Sequence, residues 1–180
     1  MEQSDAERQL VGLLRGLDVA EFSLQISVKE KHTDPLLAGG RGWHLLENPT
    51  WTVTMAVPQV AGERTTVSGE SFARAWHLQQ LWWHAAKKKA PVSAGIDYRQ
   101  VMAADSIERA ETQLLSAVRG EAGGDFAISI SLKGGHWFVG LRVPGRGGIG
   151  SAGDGPSFAY AWFHDWPWWR DLPQELGRQR

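Results

Sequence analysis

The sequence predicts an α+β fold in which two α-β-β-β-α units follow one another along the chain. Residues 69–84 read GESFARAWHLQQLWWH, and residues 155–170, found 86 positions later, read GPSFAYAWFHDWPWWR. A helix-and-strand pair at residues 7–29 returns at residues 111–133, with an offset of 104. Such self-similarity indicates one structural unit written twice. We therefore expect two three-stranded antiparallel sheets, each backed by two helices.

The first helix and strand of each unit follow from the spacing of apolar residues. Leucines at positions 10, 13, 14 and 17 recur at helical spacing, and Gly16 would end that helix. Residues 22–29 then alternate apolar and polar, which is typical of a half-buried strand. Residues 126–133 repeat this alternation after the second copy of the helix.

The rest of each unit is two further strands and a closing helix. Residues 51–58 and 137–144 alternate again and end in proline, which cannot donate to a strand ladder. A short third strand is expected at residues 65–68, and a weaker one at residues 147–153. Ser71 and Ser157 are the expected N-caps of the closing helices.

The offsets divide the chain into two repeats and a connector. We expect the first repeat at residues 1–86, a connector at 87–104 and the second repeat at 105–180. Because the offset falls from 104 to 86, the first repeat carries an insertion at residues 30–50. A segment of that length in a small protein is often functional.

Composition excludes several kinds of chemistry. The chain has no cysteine, so it has neither disulfides nor thiolate metal sites. The histidines His77 and His84 are seven residues apart, no HExxH motif occurs, and we expect neither a metal nor a cofactor. The net charge of −1 lacks the basic excess of phosphate-binding proteins. No apolar run is long enough to span a membrane, and a cytoplasmic location is the default.

Ten tryptophans are the unusual feature of the composition. Tryptophan is a frequent anchor of protein interfaces, although most large aromatic residues are buried. We expect Phe72, Trp76, Phe158 and Trp162 in the core. Adjacent tryptophans on a helix point about 100° apart, so one of each doubled pair should lie near the surface. The candidate partner-binding residues are Arg41, Trp43, His44, Trp82, Trp83, Trp168 and Trp169.

These observations favour a non-catalytic binding protein that acts through protein–protein contacts. An inhibitor or adaptor of the kind carried by phages and mobile elements would fit, and a homodimer is a further alternative. The partner is expected to be a protein. The sequence contains no recognisable catalytic motif, which is why we do not expect an enzyme.

The order of elements, with Gly-x-Ser before an alanine-containing last helix, resembles tandem double-stranded-RNA-binding domains. That resemblance implies RNA binding by cations at the last helix, as an alternative function. The basic residues nearest to that helix are Arg74 at its start and Lys87, Lys88 and Lys89 at its end.

Two weaker resemblances concern small toxin–antitoxin proteins. The Gly-x-Ser-Phe-x-x-Ala helix start is similar to HicB-type antitoxins, and the turn at residues 133–137, KGGHW, is similar to that of HicA-type ribonucleases. The second resemblance implies an RNA-cleaving enzyme with His136 as its catalytic histidine.

Overall fold

The structure, a computed structural model, describes residues 1–29, 49–58, 64–91, 104–121, 125–142 and 150–164. The helices are α1 (Gln3–Arg15), α2 (Phe72–Lys87), α3 (Ala104–Val118) and α4 (Phe158–His164). The strands are β1 (Glu21–Lys29), β2 (Thr50–Ala56), β3 (Arg64–Gly69), β4 (Phe126–Lys133), β5 (His136–Arg142) and β6 (Gly150–Gly155). The predicted α+β class is confirmed.

The six strands form one antiparallel sheet in the order β3-β2-β1-β4-β5-β6. The prediction of two separate three-stranded sheets is wrong in this respect, because β1 pairs directly with β4. The register of that central pair sets Gln25 opposite Ser129. Separate sheets would have left β1 and β4 as exposed edges, and their pairing satisfies both rows of backbone groups.

One face of the sheet is apolar and carries the core. Along β1, Phe22, Leu24 and Ile26 are fully buried, and the alternate residues of the strand are polar. The helices supply the other half of the core through large aromatic side chains, among them the fully buried Trp76 and Trp162. The predicted core positions of Phe72, Trp76, Phe158 and Trp162 are confirmed. The opposite face of the sheet is polar, as antiparallel sheets with one solvated face usually are.

Two reciprocal ion pairs join α1 to α3 and to the residue that follows α3. The Arg15 guanidinium donates to both carboxylate oxygens of Glu111, at 2.7 and 2.6 Å. Arg119 donates in the same way to Glu7, at 3.0 and 2.7 Å. Both carboxylates are buried, whereas both guanidinium groups are partly exposed. In sequence, Glu111 and Arg119 follow Glu7 and Arg15 by the same 104 residues.

The indole N–H groups of two fully buried tryptophans, Trp76 and Trp162, are satisfied in the same way. Trp76 Nε1 donates to Gln9 Oε1 at 3.3 Å, and Trp162 Nε1 donates to Gln113 Oε1 at 2.7 Å. A buried indole N–H without an acceptor would be costly. These bonds therefore help to hold α2 against α1 and α4 against α3.

Replacing Glu7 by glutamine should lower stability in a pH-dependent way. Hydrogen bonds from Arg119 hold the pKa of the Glu7 carboxyl below its usual range. A lowered pKa in the folded state stabilises the protein above the unfolded pKa, and that contribution disappears as the pH falls through the folded pKa. We expect Glu7→Gln to cost about 1–2 kcal/mol at neutral pH, since Arg119 is partly solvated. Urea denaturation at neutral and acidic pH measures the difference.

The matched control is Glu70→Gln, which removes an exposed carboxylate just before α2. It should change the free energy of unfolding little at either pH. If the Glu7→Gln deficit remained constant down to strongly acidic pH, the ionised carboxylate would not be its cause.

Candidate partner-binding surface

Helix α2 begins where a side chain can cap it. Ser71 Oγ accepts a hydrogen bond from the backbone N–H of Arg74 at 3.2 Å, which satisfies one of the free donors of the first turn. His84 and Lys87 lie in the last turn, where positive charge is favourable to the helix dipole. The predicted cap and start of this helix are confirmed.

The inner face of α2 packs on the apolar face of the sheet. Gln79 lies fully buried on that face and donates from Nε2 to the carbonyl oxygen of Thr65 in β3 at 2.9 Å. Phe72 contacts Trp76, with ring centroids 5.5 Å apart. This face holds the helix at a fixed rotation, so its opposite face is held toward the outside.

The doubled tryptophan of α2 is divided between core and surface. Trp83 is 5% exposed and meets Phe22 edge to face at 5.1 Å. A partner could therefore reach very little of this side chain. Trp82 is half-buried and packs against the margin of the core. Of the two candidates, Trp82 is the one that presents a substantial surface.

Apolar side chains also lie on the side of α2 that faces away from the sheet. Leu81 is 70% exposed and Leu78 is 44% exposed. Together with Trp82 and the exposed Ala85 they lie at positions i, i+3, i+4 and i+7, on one side of the helix. Single exposed leucines are common, whereas a contiguous apolar stripe is a candidate contact surface.

Basic side chains surround this stripe. Arg74, His77, His84 and Lys88 are all exposed, and the sequence has no aspartate or glutamate from residue 72 to residue 96. Lys87 instead turns toward Asp18, with Nζ 2.9 Å from a carboxylate oxygen. We call the apolar stripe and its four basic neighbours the outer face of α2. Its residues are Arg74, His77, Leu78, Leu81, Trp82, His84, Ala85 and Lys88.

The described part of the second copy of the helix differs from this surface. Tyr160, Phe163 and His164 occupy the places of Arg74, His77 and Leu78 in the repeat. Tyr160 stacks on His164 at 5.7 Å, and the Arg109 guanidinium lies 5.4 Å from the centre of the Phe163 ring. These side chains are thus used within the chain. Helix α4 carries His164 at the place of Leu78, whereas the counterpart of Leu81, Pro167, lies outside the described residues.

Several predicted site residues lie outside the described residues. They are Arg41, Trp43 and His44 of the insertion, and Trp168 and Trp169 near the end of the chain. Of the cations named for RNA binding, Arg74 and Lys88 belong to the outer face of α2, Lys87 is ion-paired, and Lys89 is exposed just beyond the helix.

His136 lies elsewhere, at the start of β5. It is exposed, and the strand register places Lys133 opposite it and Glu21 opposite Lys133. Within the described ranges, no three histidine or acidic side chains are close enough to hold a metal ion. None of the described helices is long and apolar enough to cross a membrane.

The partner-binding residues predicted from the sequence do not include Leu78 and Leu81. The residues that the two copies share are mainly buried. The signal for this surface lies in a difference between the copies, since Leu78 and Leu81 correspond to His164 and Pro167.

The chain matches no family model, and comparisons with curated proteins and with solved structures also found no match. The resemblance to double-stranded-RNA-binding domains therefore stays a prediction.

Proposed function

We propose that the protein is a non-catalytic binding protein that acts through protein–protein contacts made by the outer face of α2. The observation that carries this proposal is the stripe of exposed Leu78 and Leu81 beside half-buried Trp82, on a helix whose rotation is fixed by its buried face. Helix α4 carries His164 at the place of Leu78, which supports a role of that leucine in contact rather than in folding.

The energetics of such a contact are favourable. Burying an exposed leucine side chain contributes about 1.5–3 kcal/mol, and Leu81 is mostly exposed before contact. A half-buried tryptophan beside it is the kind of rigid aromatic anchor that dominates binding energy at interfaces. Because Trp82 already packs against the core, little conformational entropy would be lost on binding.

Binding alone is sufficient for an inhibitor or an adaptor. Such a protein blocks or recruits its partner by occupying a surface and needs no reactive group of its own. This role suits the outer face of α2, where the accessible side chains are leucines, a half-buried tryptophan and basic residues.

We further infer that the chain consists of two tandem α-β-β-β-α repeats related by a two-fold axis between Gln25 and Ser129. Ser129 follows Gln25 by the repeat offset of 104, and the two residues face each other in the register of β1 and β4. The reciprocal ion pairs of α1 and α3 support the same symmetry, because residue i contacting j while j contacts i is typical of two-fold interfaces.

Affinity capture from a lysate of the encoding organism tests the proposed function. The double variant Leu78→Gln/Leu81→Gln keeps helix-forming residues of similar size and removes the apolar stripe. We expect proteins retained by the wild-type chain to fall at least about tenfold in the variant, the ratio that corresponds to about 1.4 kcal/mol. Quantitative mass spectrometry measures the retained proteins.

The control for this experiment is Phe138→Gln. Phe138 is 42% exposed on the polar face of the sheet, so this variant loses an exposed apolar side chain elsewhere. It should retain the same proteins as the wild-type chain. Equal capture by the wild-type chain and the leucine variant would refute the assignment of the surface.

A further inference from the structure

The outer face of α2 has the spacing of a helix-packing seam. Arg74, Leu78, Leu81, Ala85 and Lys88 are separated by four, three, four and three residues in turn. This is the a-and-d spacing by which one helix packs along another. The apolar members stand in the middle of the seam, and a cation stands at each end.

Both charged residues of the seam, Arg74 and Lys88, are cations. Arg74 and Lys88 lie roughly 21 Å apart along the helix, given a rise of about 1.5 Å per residue. His77 and His84 line one flank of the leucines. No described carboxylate of α2 itself offsets them, since the helix has no acidic residue.

We propose that the outer face of α2 binds an acidic amphipathic helix of a partner protein. This inference rests on the proposed function and adds the chemistry of the partner. The partner helix would lay an apolar seam along Leu78, Leu81 and Ala85 and place carboxylates against Arg74 and Lys88. Complementary charge of this kind orients a partner and excludes wrong ones.

A second copy of this chain is a poor occupant of the seam. An antiparallel pair of α2 helices centred on Leu81 would set Arg74 of each copy against Lys88 of the other. A parallel pair would set each cation against itself. Like charges placed directly across an interface oppose association.

Neither a membrane nor a nucleic acid suits the seam as well as a helix does. A helix that lies in a membrane surface buries a wide apolar face there, whereas the wide apolar face of α2 is buried against the sheet. Phosphate binding depends on cations, so it leaves the exposed Leu81 without a role.

Two labelled synthetic helical peptides test the proposal against the full chain. Both carry the same leucine seam; one has glutamate and the other lysine at the seam ends and flanks. Fluorescence anisotropy should show that the chain binds the glutamate peptide at least about tenfold more tightly, since two charge pairs together contribute on the order of that ratio. Anionic phosphatidylserine vesicles and double-stranded RNA serve as the other probes.

Variants of the chain then assign the preference to residues. Leu78→Gln/Leu81→Gln should abolish peptide binding. The double reversal Arg74→Glu/Lys88→Glu should invert the preference toward the lysine peptide. Tyr160→Glu, at the place of Arg74 in the second repeat, is the matched control and should leave binding unchanged.

Several results would overturn the proposal. They are failure to bind the glutamate peptide, equal binding of both peptides, a preference that survives the double reversal, or binding of vesicles or RNA in place of the peptide. The outcome for the proposed function is separate. If lysate proteins are lost with the leucine variant but kept by Arg74→Glu/Lys88→Glu, the surface assignment holds and the acidic helix is wrong.

Discussion

Replacing Trp76 by alanine is expected to destabilise the fold by about 3–5 kcal/mol, the usual cost of removing a large aromatic side chain from a core. Trp76 is fully buried, packs against Phe72 and donates its indole N–H to Gln9. Its loss leaves a large cavity between α2 and the sheet and removes the hydrogen bond from Trp76 to Gln9 of α1. Equilibrium unfolding in urea, followed by circular dichroism, measures the change in the free energy of unfolding.

Two further substitutions separate burial from tryptophan content. Trp76→Phe keeps most of the apolar volume and should cost less than Trp76→Ala. Trp82→Ala removes the same side chain from a half-buried position and should cost clearly less as well. If Trp82→Ala proved as destabilising as Trp76→Ala, the division of α2 into a buried and an outer face would be wrong.

A methyl group added at Gly153 should destabilise the protein by about 2–3 kcal/mol, toward the upper end of the range for overpacked sites. Gly153 lies in β6, and a Cβ there would collide with the backbone carbonyl oxygen of Ala161 in α4. Backbone cannot rotate away from a clash as a side chain can. We therefore expect Gly153→Ala to force α4 away from the sheet, and thermal unfolding would register this as a lower melting temperature.

Gly155→Ala is the control, two residues further along the same strand. There the added methyl group would meet the ring of Tyr160, which is partly exposed and can turn aside. Its effect on stability should be smaller than that of Gly153→Ala. Equal effects would indicate that the close approach of β6 and α4 is not what limits this position.

Much of the secondary structure could be predicted because local pattern determines it. The alternation of β1 leaves only one way to bury Phe22, Leu24 and Ile26, and the Ser71 cap marks the start of α2. Alternation indicates which side of a strand is buried, but not which strand lies beside it. The pairing of β1 with β4 joins residues about a hundred positions apart, and no local pattern encodes it.

The candidate surface shows the same division between local and long-range information. The helix period predicts that Trp82 and Trp83 point in different directions, and the structure decides which of them is buried. Leu81 could not be placed from the sequence alone, since a leucine on a helix usually faces the core. Only the position of α2 on the sheet makes it an outward-facing residue.

The central pairing of β1 with β4 also affects how the chain folds while it is being synthesised. Proteins emerge from the ribosome at about 5–20 residues per second, and their N-terminal parts fold first. Until residues 126–133 have emerged, β1 has no strand on one of its two sides. The first half would then carry an open hydrogen-bonding edge at the position that becomes the middle of the finished sheet. Such edges can pair with other chains. The second half of the chain therefore protects the first half, because β4 covers the open edge of β1.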